Sequence, residues 1–201
     1  MKKMKMKKFL IILFLISIGL HYKAQMNDEN NVIKVDQLNE TEFYSMHSKG
    51  WVVFEYSNGE KSIGNLSNKD YVLYLSINCK DEMQIPKYLI EFNNNYQDGT
   101  WAGVDFVSSA RNNYKKTSIS IDEKDYRDPF TNYQKAKFKE FQTTLKTGKL
   151  LIMKFYDEEY NPETGKDELK LNRELQFMLQ NANVLDVSTN CANEDSAPDS
   201  T

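Results

Sequence analysis

Alternation of apolar and polar residues runs through most of the chain from residue 51 onward. It is clearest at residues 71–79, where every second residue from Tyr71 to Cys79 falls on one side of an extended segment. A period of two is typical of a β-strand with one buried face. Similar patterns predict seven more strands, at residues 32–35, 51–56, 85–92, 101–108, 116–121, 149–156 and 168–179.

The connections between these segments carry their own signals. Asn58-Gly59 predicts a tight turn after the strand at residues 51–56, and we expect a polar loop from there to Asp70. Residues 157–167 are rich in acidic side chains and predict a long loop. Residues 181–187 fit either a short helix or a last strand.

The period lengthens in residues 130–147. The positions that recur there at three- and four-residue steps are Tyr133, Ala136 or Lys137, Phe138, Phe141 and Leu145, and Gly148 follows. This spacing predicts an amphipathic helix that ends near the glycine.

Many short strands and one late helix predict a mainly β fold. We expect an antiparallel β-sandwich or barrel with one helix in the C-terminal half. The predicted boundaries place a polar lead-in at residues 26–50, a single β-rich domain at 51–191 and a disordered tail at 192–201.

The first 25 residues differ from the rest. Five lysines precede twelve uncharged, mostly apolar residues at 9–20, and a short polar stretch follows. This layout predicts a signal peptide of bacterial type, because a membrane-spanning helix needs about 20 apolar residues. Cleavage after Ala24, cleavage after Gly19 and retention as an anchor are all compatible with it. We expect a periplasmic or secreted protein with no transmembrane span after processing.

Charge narrows the range of partners. The full chain has a formal net charge of −3, and residues 1–25 hold six lysines and no acid, so the remainder carries −9. An acidic surface repels phosphate backbones, which argues against nucleic-acid binding. Protein or glycan partners remain.

Two cysteines, Cys79 and Cys191, follow the leader. Cysteine pairs in exported domains favour a disulfide. In the chain-entropy model, closing the loop between the two cysteines would stabilise the folded protein by ~4–5 kcal/mol. Leu185, Val187 and Thr189 alternate toward Cys191 and predict an inward thiol, as the pattern before Cys79 does. Two buried thiols that never meet are the alternative.

One acidic segment has the spacing of a calcium loop. Asp157, Glu159, Asn161 and Glu168 occupy positions 1, 3, 5 and 12, and they supply the oxygen ligands that hard cations prefer. Pro162 stands where that motif needs glycine. The alternative is a solvated hairpin connection without a metal.

Aromatic residues with polar tips are candidates for recognition of a sugar or a protein, and Trp51, Tyr96 and Trp101 are named for this role. Ordinary packing of the rings is the alternative. No nucleophile elbow or glycine-rich phosphate loop is found, so the sequence predicts no catalytic residue, metal or cofactor. A hydrolase would have to use carboxylates or His47, the one histidine after the leader.

A series of segments resembles a known group of proteins. Its parts are the β run at Trp51, the strand ending at Cys79, the Phe-bearing helix, the segment Gly148-Lys-Leu-Leu-Ile152 and the closing Cys191. In outline, residues 51–191 resemble periplasmic β-sandwich accessory proteins of bacterial secretion systems and the invasion-associated locus B family. The resemblance implies a non-enzymatic role in the cell envelope.

The sequence thus predicts an exported, non-enzymatic binding or interaction protein of unknown ligand. Two alternatives stay open at this point. One is an envelope hydrolase, and the other is an immunity-type or structural envelope protein.

Overall fold

Two β-sheets organise the part of the chain that the computed structural model describes, which is residues 31–37, 46, 49–79, 84–92, 104–108, 115–189 and 191. The first sheet holds, in spatial order, β1 (Val32–Lys34), β2 (Trp51–Glu55), β3 (Lys61–Asn65), β4 (Tyr71–Ser76), β5 (Lys87–Phe92) and β6 (Val104–Val107). The second holds β7 (Lys115–Ile121), β8 (Lys124–Asp125), β9 (Leu150–Asn161) and β10 (Lys166–Met178), in the order β10-β9-β7-β8.

The predicted mainly β fold with one helix in the C-terminal half is confirmed. The sheets remain separate and do not close into a barrel. All pairings between these strands are antiparallel except the one between β1 and β2. Since β1 lies at residues 32–34, part of the predicted lead-in belongs to the first sheet.

The main core lies between the two sheets. Phe106 of β6 stacks on Phe155 of β9 with 3.8 Å between ring centroids. The Tyr88 hydroxyl lies 3.2 Å from Thr117 Oγ1, so a hydrogen bond also links the sheets. Burial, aided by the nearby Asp128 carboxylate, raises the pKa of Tyr88 above its usual value. This tyrosine therefore stays neutral in the folded protein.

Helix α1 (Lys135–Thr147) begins five residues later than predicted. Its buried side chains are Phe138, Phe141 and Leu145. Of the other positions that the spacing indicated, Tyr133 precedes the helix, and Ala136 and Lys137 are exposed. Phe130, expected inside the helix, precedes it and packs edge-on against Phe138 and Phe141.

Strand β3 replaces a segment that was predicted to be loop. Gly64 and Asn65 suggested a turn, but a Cβ at Gly64 would overlap the ring of Phe54, so glycine is needed for packing. Asn65 is fully buried, and its Nδ2 donates to the carbonyl of Met178 at 2.9 Å. Its side chain thereby joins β3 to the end of β10, which explains why a polar residue sits in the core.

The predicted loop at residues 157–167 is also wrong. β9 continues to Asn161, β10 begins at Lys166, and only residues 162–165 turn. The Asn161 side chain accepts the backbone N–H groups of Glu163 and Thr164, and Gly165 adopts a φ of 68°. These are the contacts of a tight hairpin turn.

The C-terminal segment is held against the end of β4. Residues 182–186 form a 3-10 helix, which is the short-helix alternative of the two predicted for residues 181–187. Asn78 Nδ2 donates to the carbonyls of Leu185 and Val187, and the Asn78 carbonyl accepts from the N–H of Thr189 at 3.0 Å. Beside these contacts Cys79 and Cys191 are joined as a disulfide, with 5.3 Å between their Cα atoms.

Several sequence predictions fall outside the described residues. They are the leader at residues 1–25, the start of the lead-in and the tail at 192–201. Within the described ranges, no helix has the length and apolar character needed to cross a bilayer.

The disulfide should contribute strongly to stability because Cys79 and Cys191 are 112 residues apart. Replacing both cysteines with serine should lower the free energy of unfolding by ~2–5 kcal/mol, since the unfolded chain regains the freedom of a long loop. Urea unfolding followed by tryptophan fluorescence measures this. Wild-type protein treated with a thiol reductant should match the double variant. An oxidised wild type no more stable than the variant would contradict the prediction.

Candidate functional site

The aromatic residues named from the sequence do not form a described surface site. Trp51 is fully buried because β2 is covered on both faces, with Trp51 and Val53 on one core and Val52 and Phe54 on a second. Trp51 is therefore a core residue and not a recognition residue. Tyr96 and Trp101 lie outside the described residues, as does His47.

The four residues with calcium-loop spacing lie in strands. Asp157, Glu159 and Asn161 belong to β9 and Glu168 to β10, so no twelve-residue loop gathers their oxygens. Asn161 Nδ2 donates to Glu168 Oε1 at 2.8 Å, and Lys170 Nζ lies 3.3 Å from Glu159 Oε2. No group of three or more acidic, histidine or cysteine side chains suited to a metal occurs in the described part of the chain. The segment is a hairpin in which residues 162–165 connect the two strands.

A β-bulge at Asn172 divides the leucines of β10 between two faces. Leu169, Leu171, Leu175 and Phe177 are all odd-numbered, and regular alternation would bury all four together. In the structure Leu171 lies opposite Tyr156, but Arg173 lies opposite Phe155, so one extra residue enters the ladder between them. Leu175 and Phe177 therefore face the core, whereas Leu169 and Leu171 are each 49% exposed on the opposite face.

The exposed leucines belong to a segment that we call the hairpin arm, residues 156–171. In the described residues, the pairing of β7 with β9 ends at Asp157, and beyond that point β9 pairs with β10. Residues opposite each other across the ladder share a face. The outer face of the arm therefore comprises Tyr156, Glu158, Tyr160, Asp167, Leu169 and Leu171.

The opposite surface of the arm is its charged face. It comprises Asp157, Glu159, Asn161, Lys166, Glu168 and Lys170. The two faces differ sharply in character: the outer face exposes Tyr160 at 65% with both leucines, whereas the charged face carries ion pairs and amide contacts. Water stabilises the charged side chains, so exposure to solvent is enough to explain the charged face. It does not explain why large apolar side chains are exposed on the outer face.

The outer face of the arm continues into a groove of about 430 Å³ at its base. Tyr156 and Leu169 form its apolar side, and the polar side includes Ser118, Arg127 and Asn132. Lys116 also lines the groove, with its Nζ 3.3 Å from Glu158 Oε1. The arm thus offers a continuous surface on which Tyr156, Tyr160, Leu169 and Leu171 are interspersed with the carboxylates Glu158 and Asp167. Protein interfaces have such a mixed apolar and polar composition.

A second groove, of about 330 Å³, lies on the outer face of the first sheet, and we call it the tyrosine groove. Its side chains include Tyr56, Ser62, Tyr74, Leu89 and Glu91. Tyr56 is partly exposed, and its hydroxyl lies 3.3 Å from Ser62 Oγ. Partial burial raises the pKa of Glu91, so this groove combines aromatic rings with a carboxyl group that protonates readily.

Comparison with protein-family models finds no match, and comparisons with curated proteins and with solved structures find none either. The resemblance to periplasmic accessory proteins therefore stays a prediction.

Sequence reasoning missed the residues that form the arm. Leu169 and Leu171 fit the alternation of the strand predicted at residues 168–179, and no pattern in the sequence indicated a different face for them from that of Leu175, because a bulge leaves no sequence mark as clear as Asn-Gly. The one available signal is the polar pair Asn172-Arg173, which interrupts the run between Leu171 and Leu175. Tyr160 lies in residues 157–167, which the sequence predicted to be an acidic loop.

Replacing Glu91 with glutamine should stabilise the protein more at pH 7 than at pH 4. A raised pKa means that folding favours the neutral carboxyl group. That contribution is complete below the ordinary glutamate pKa of about 4.3 and is lost as the pH rises through the raised value. Glutamine stays neutral throughout, and thermal unfolding at several pH values measures the difference. Glu163→Gln, which removes a charge from the exposed turn, is the matched control; an equal effect at both pH values would contradict the prediction.

Proposed function

We propose that this is an exported, non-enzymatic interaction protein that binds another protein through the outer face of the hairpin arm. Two features support export: the leader pattern of residues 1–25 and the Cys79–Cys191 disulfide. A disulfide persists in the periplasm or outside the cell, where thiols are not kept reduced.

The observation that carries the proposal is the exposure of Leu169 and Leu171 beside Tyr160. Nothing in the folding of the described chain requires these side chains to be apolar, because the bulge points them away from the core. Apolar and aromatic residues in the middle of a patch with a charged rim are typical of sites where a partner excludes water.

The alternatives receive different support. An immunity-type or structural envelope protein would also act by binding a protein, so the arm fits that alternative as a more specific form of the same proposal. A hydrolase depends on His47, which lies outside the described residues, or on carboxylates, whose contacts on the arm are with amides and lysines. The arm supports binding more directly than catalysis.

Replacing Leu169 and Leu171 with serine should remove partner binding and leave the fold intact. Both side chains are exposed, so we expect a change in unfolding free energy within about 0.5 kcal/mol. Capture of a partner by the tagged mature protein from periplasmic or extracellular extract should fall by about tenfold or more, because the middle of an interface carries most of the binding energy. Quantitative mass spectrometry of the captured proteins measures this.

The matched control changes two residues of the charged face, Glu159 and Lys166, to serine. This variant should capture the same partner as the wild type, since it alters the same arm on the other side. Equal capture by all three proteins would contradict the proposed surface. Intact mass of the recovered protein shows in the same experiment whether the leader has been removed.

A glycan is the second candidate ligand, and the tyrosine groove supports it. Sugars stack on aromatic rings and hydrogen-bond to hydroxyl and carboxyl groups, and Tyr56, Ser62 and Glu91 offer these groups together. The groove is open and lies on the opposite sheet from the arm, so the two surfaces can be tested separately.

Tyr56→Ala should weaken binding of neutral oligosaccharides from the cell envelope by about tenfold if the groove holds them, because the exposed ring is lost. Isothermal titration calorimetry measures this binding. Tyr160→Ala, which removes an exposed tyrosine from the arm, should leave it unchanged. The reverse order of effects, or no oligosaccharide binding by the wild type, would eliminate the groove as a glycan site.

A further inference from the structure

The outer edge of β10 is open along the hairpin arm. In the described part of the chain, β10 has β9 on one side and no strand on the other. Near its C-terminal end this edge is covered, since Asn65 and Asn68 donate to the carbonyls of Met178 and Gln176. Residues 166–171 are exposed, and no side chain of the described residues covers their edge in the same way. Backbone groups along such an edge are able to pair with another strand.

This open edge is complementary to itself. When two copies of one strand pair antiparallel about a two-fold axis, the residue on the axis meets its own copy and its neighbours meet across it. With Leu169 on the axis, Leu169 lies opposite Leu169 of the second copy. Glu168 then lies opposite Lys170 of the second copy, and Lys170 opposite its Glu168. Both ion pairs form at the same time.

Other registers are less favourable. An axis at Asp167, Glu168 or Lys170 brings two like charges directly opposite each other, which is destabilising. An axis at Leu171 forces the bulge at Asn172 into the new ladder. Within the bulge-free segment, Leu169 therefore gives the one central position with an apolar residue on the axis and opposite charges beside it.

The same register also joins the outer faces of two arms. Asp167 would lie opposite Leu171 of the second copy, which places the exposed leucines of both chains in one continuous row around the axis. Lys170 Nζ lies 3.3 Å from Glu159 Oε2 of its own chain. In the pair, Lys170 would lie between this glutamate and Glu168 of the second copy. A second copy would thus cover the exposed leucines and also place an opposite charge beside Lys170.

We infer that two copies of this protein pair through β10, antiparallel about Leu169, so that their arms form one four-stranded sheet. The inference rests on the proposed function, since it assigns a partner, a second copy of the chain, to the same arm. Exposed apolar groups and unpaired backbone groups become buried in the same step.

Charge exchange tests both the pairing and its register. The mature wild-type protein should form a dimer in sedimentation velocity over ~1–100 μM. Glu168→Lys places lysines opposite Lys170 twice, and Lys170→Glu places glutamates opposite Glu168 twice. Each variant alone should raise the dimer dissociation constant by about tenfold or more. An equimolar mixture of the two should form a heterodimer, because both cross-strand pairs are then opposite in charge.

The mixture of the two variants is the decisive measurement. Each single change also removes a contact within its own chain, such as that of Glu168 with Asn161, but mixing cannot restore such a contact. Rescue by mixing therefore reports contact between chains. Glu163→Lys, a charge reversal in the turn outside the paired segment, should dimerise like the wild type.

Three results would overturn the inference. They are a wild type that stays monomeric, a dimer that neither single variant weakens, and weakened variants that mixing does not rescue. A monomer that still captures a different protein through Leu169 and Leu171 would reject self-pairing and leave the proposed function standing. A dimer that captures nothing would support self-pairing and limit the function of the arm to it.

Discussion

The backbone ladder between β9 and β10 holds together both the core and the arm. At one end it carries Met153 and Leu175 into the space between the sheets, and at the other it extends past the described residues of β7. Side chains alternate strictly along a regular strand. Odd-numbered residues that are buried at one end of the hairpin would therefore stay on the buried face along its whole length. The bulge at Asn172 breaks this relation. As a result, the leucines at one end of β10 face the core and those at the other end lie on the opposite, exposed face.

The anchoring of this hairpin shows how the change of face is stabilised. Arg173, the first residue after the bulge, places its guanidinium 5.4 Å from the ring centroid of Tyr71 in the first sheet. Asn172 donates from Nδ2 to the Asp157 carboxylate on the neighbouring strand. These contacts lie where the ladder is irregular, so side chains hold the arm in place where the backbone pairing is interrupted.

The parts of the fold that could be read from the sequence are those in which burial alone decides the pattern. Tyr71, Leu73 and Leu75 alternate because they pack on the core between the sheets, and Phe138, Phe141 and Leu145 recur because one side of α1 is buried. β3 was missed because its glycine and asparagine are needed by distant partners, Phe54 and Met178, that no local pattern reveals. The acidic end of β9 was missed because charged residues rarely favour strands, and here the partner strand supplies the pairing.

The candidate site was harder to predict than the fold for the same reason. Trp51 drew attention as an aromatic residue, yet β2 has apolar cover on both faces. Leu169 and Leu171 drew none, since leucines in an alternating segment indicate a core. Which apolar residues face water depends on one extra residue in a ladder, and that is a property of pairing rather than of composition.

The position of the disulfide has a consequence for how the molecule is made. Cys79 leaves the ribosome 112 residues before Cys191, and its sulfur has no partner in the chain during that interval. The C-terminal segment that docks on Asn78 is synthesised after every strand it touches. Oxidation must therefore be a late event in biogenesis, because the bond needs Cys191 and the segment that docks on Asn78, which are synthesised last.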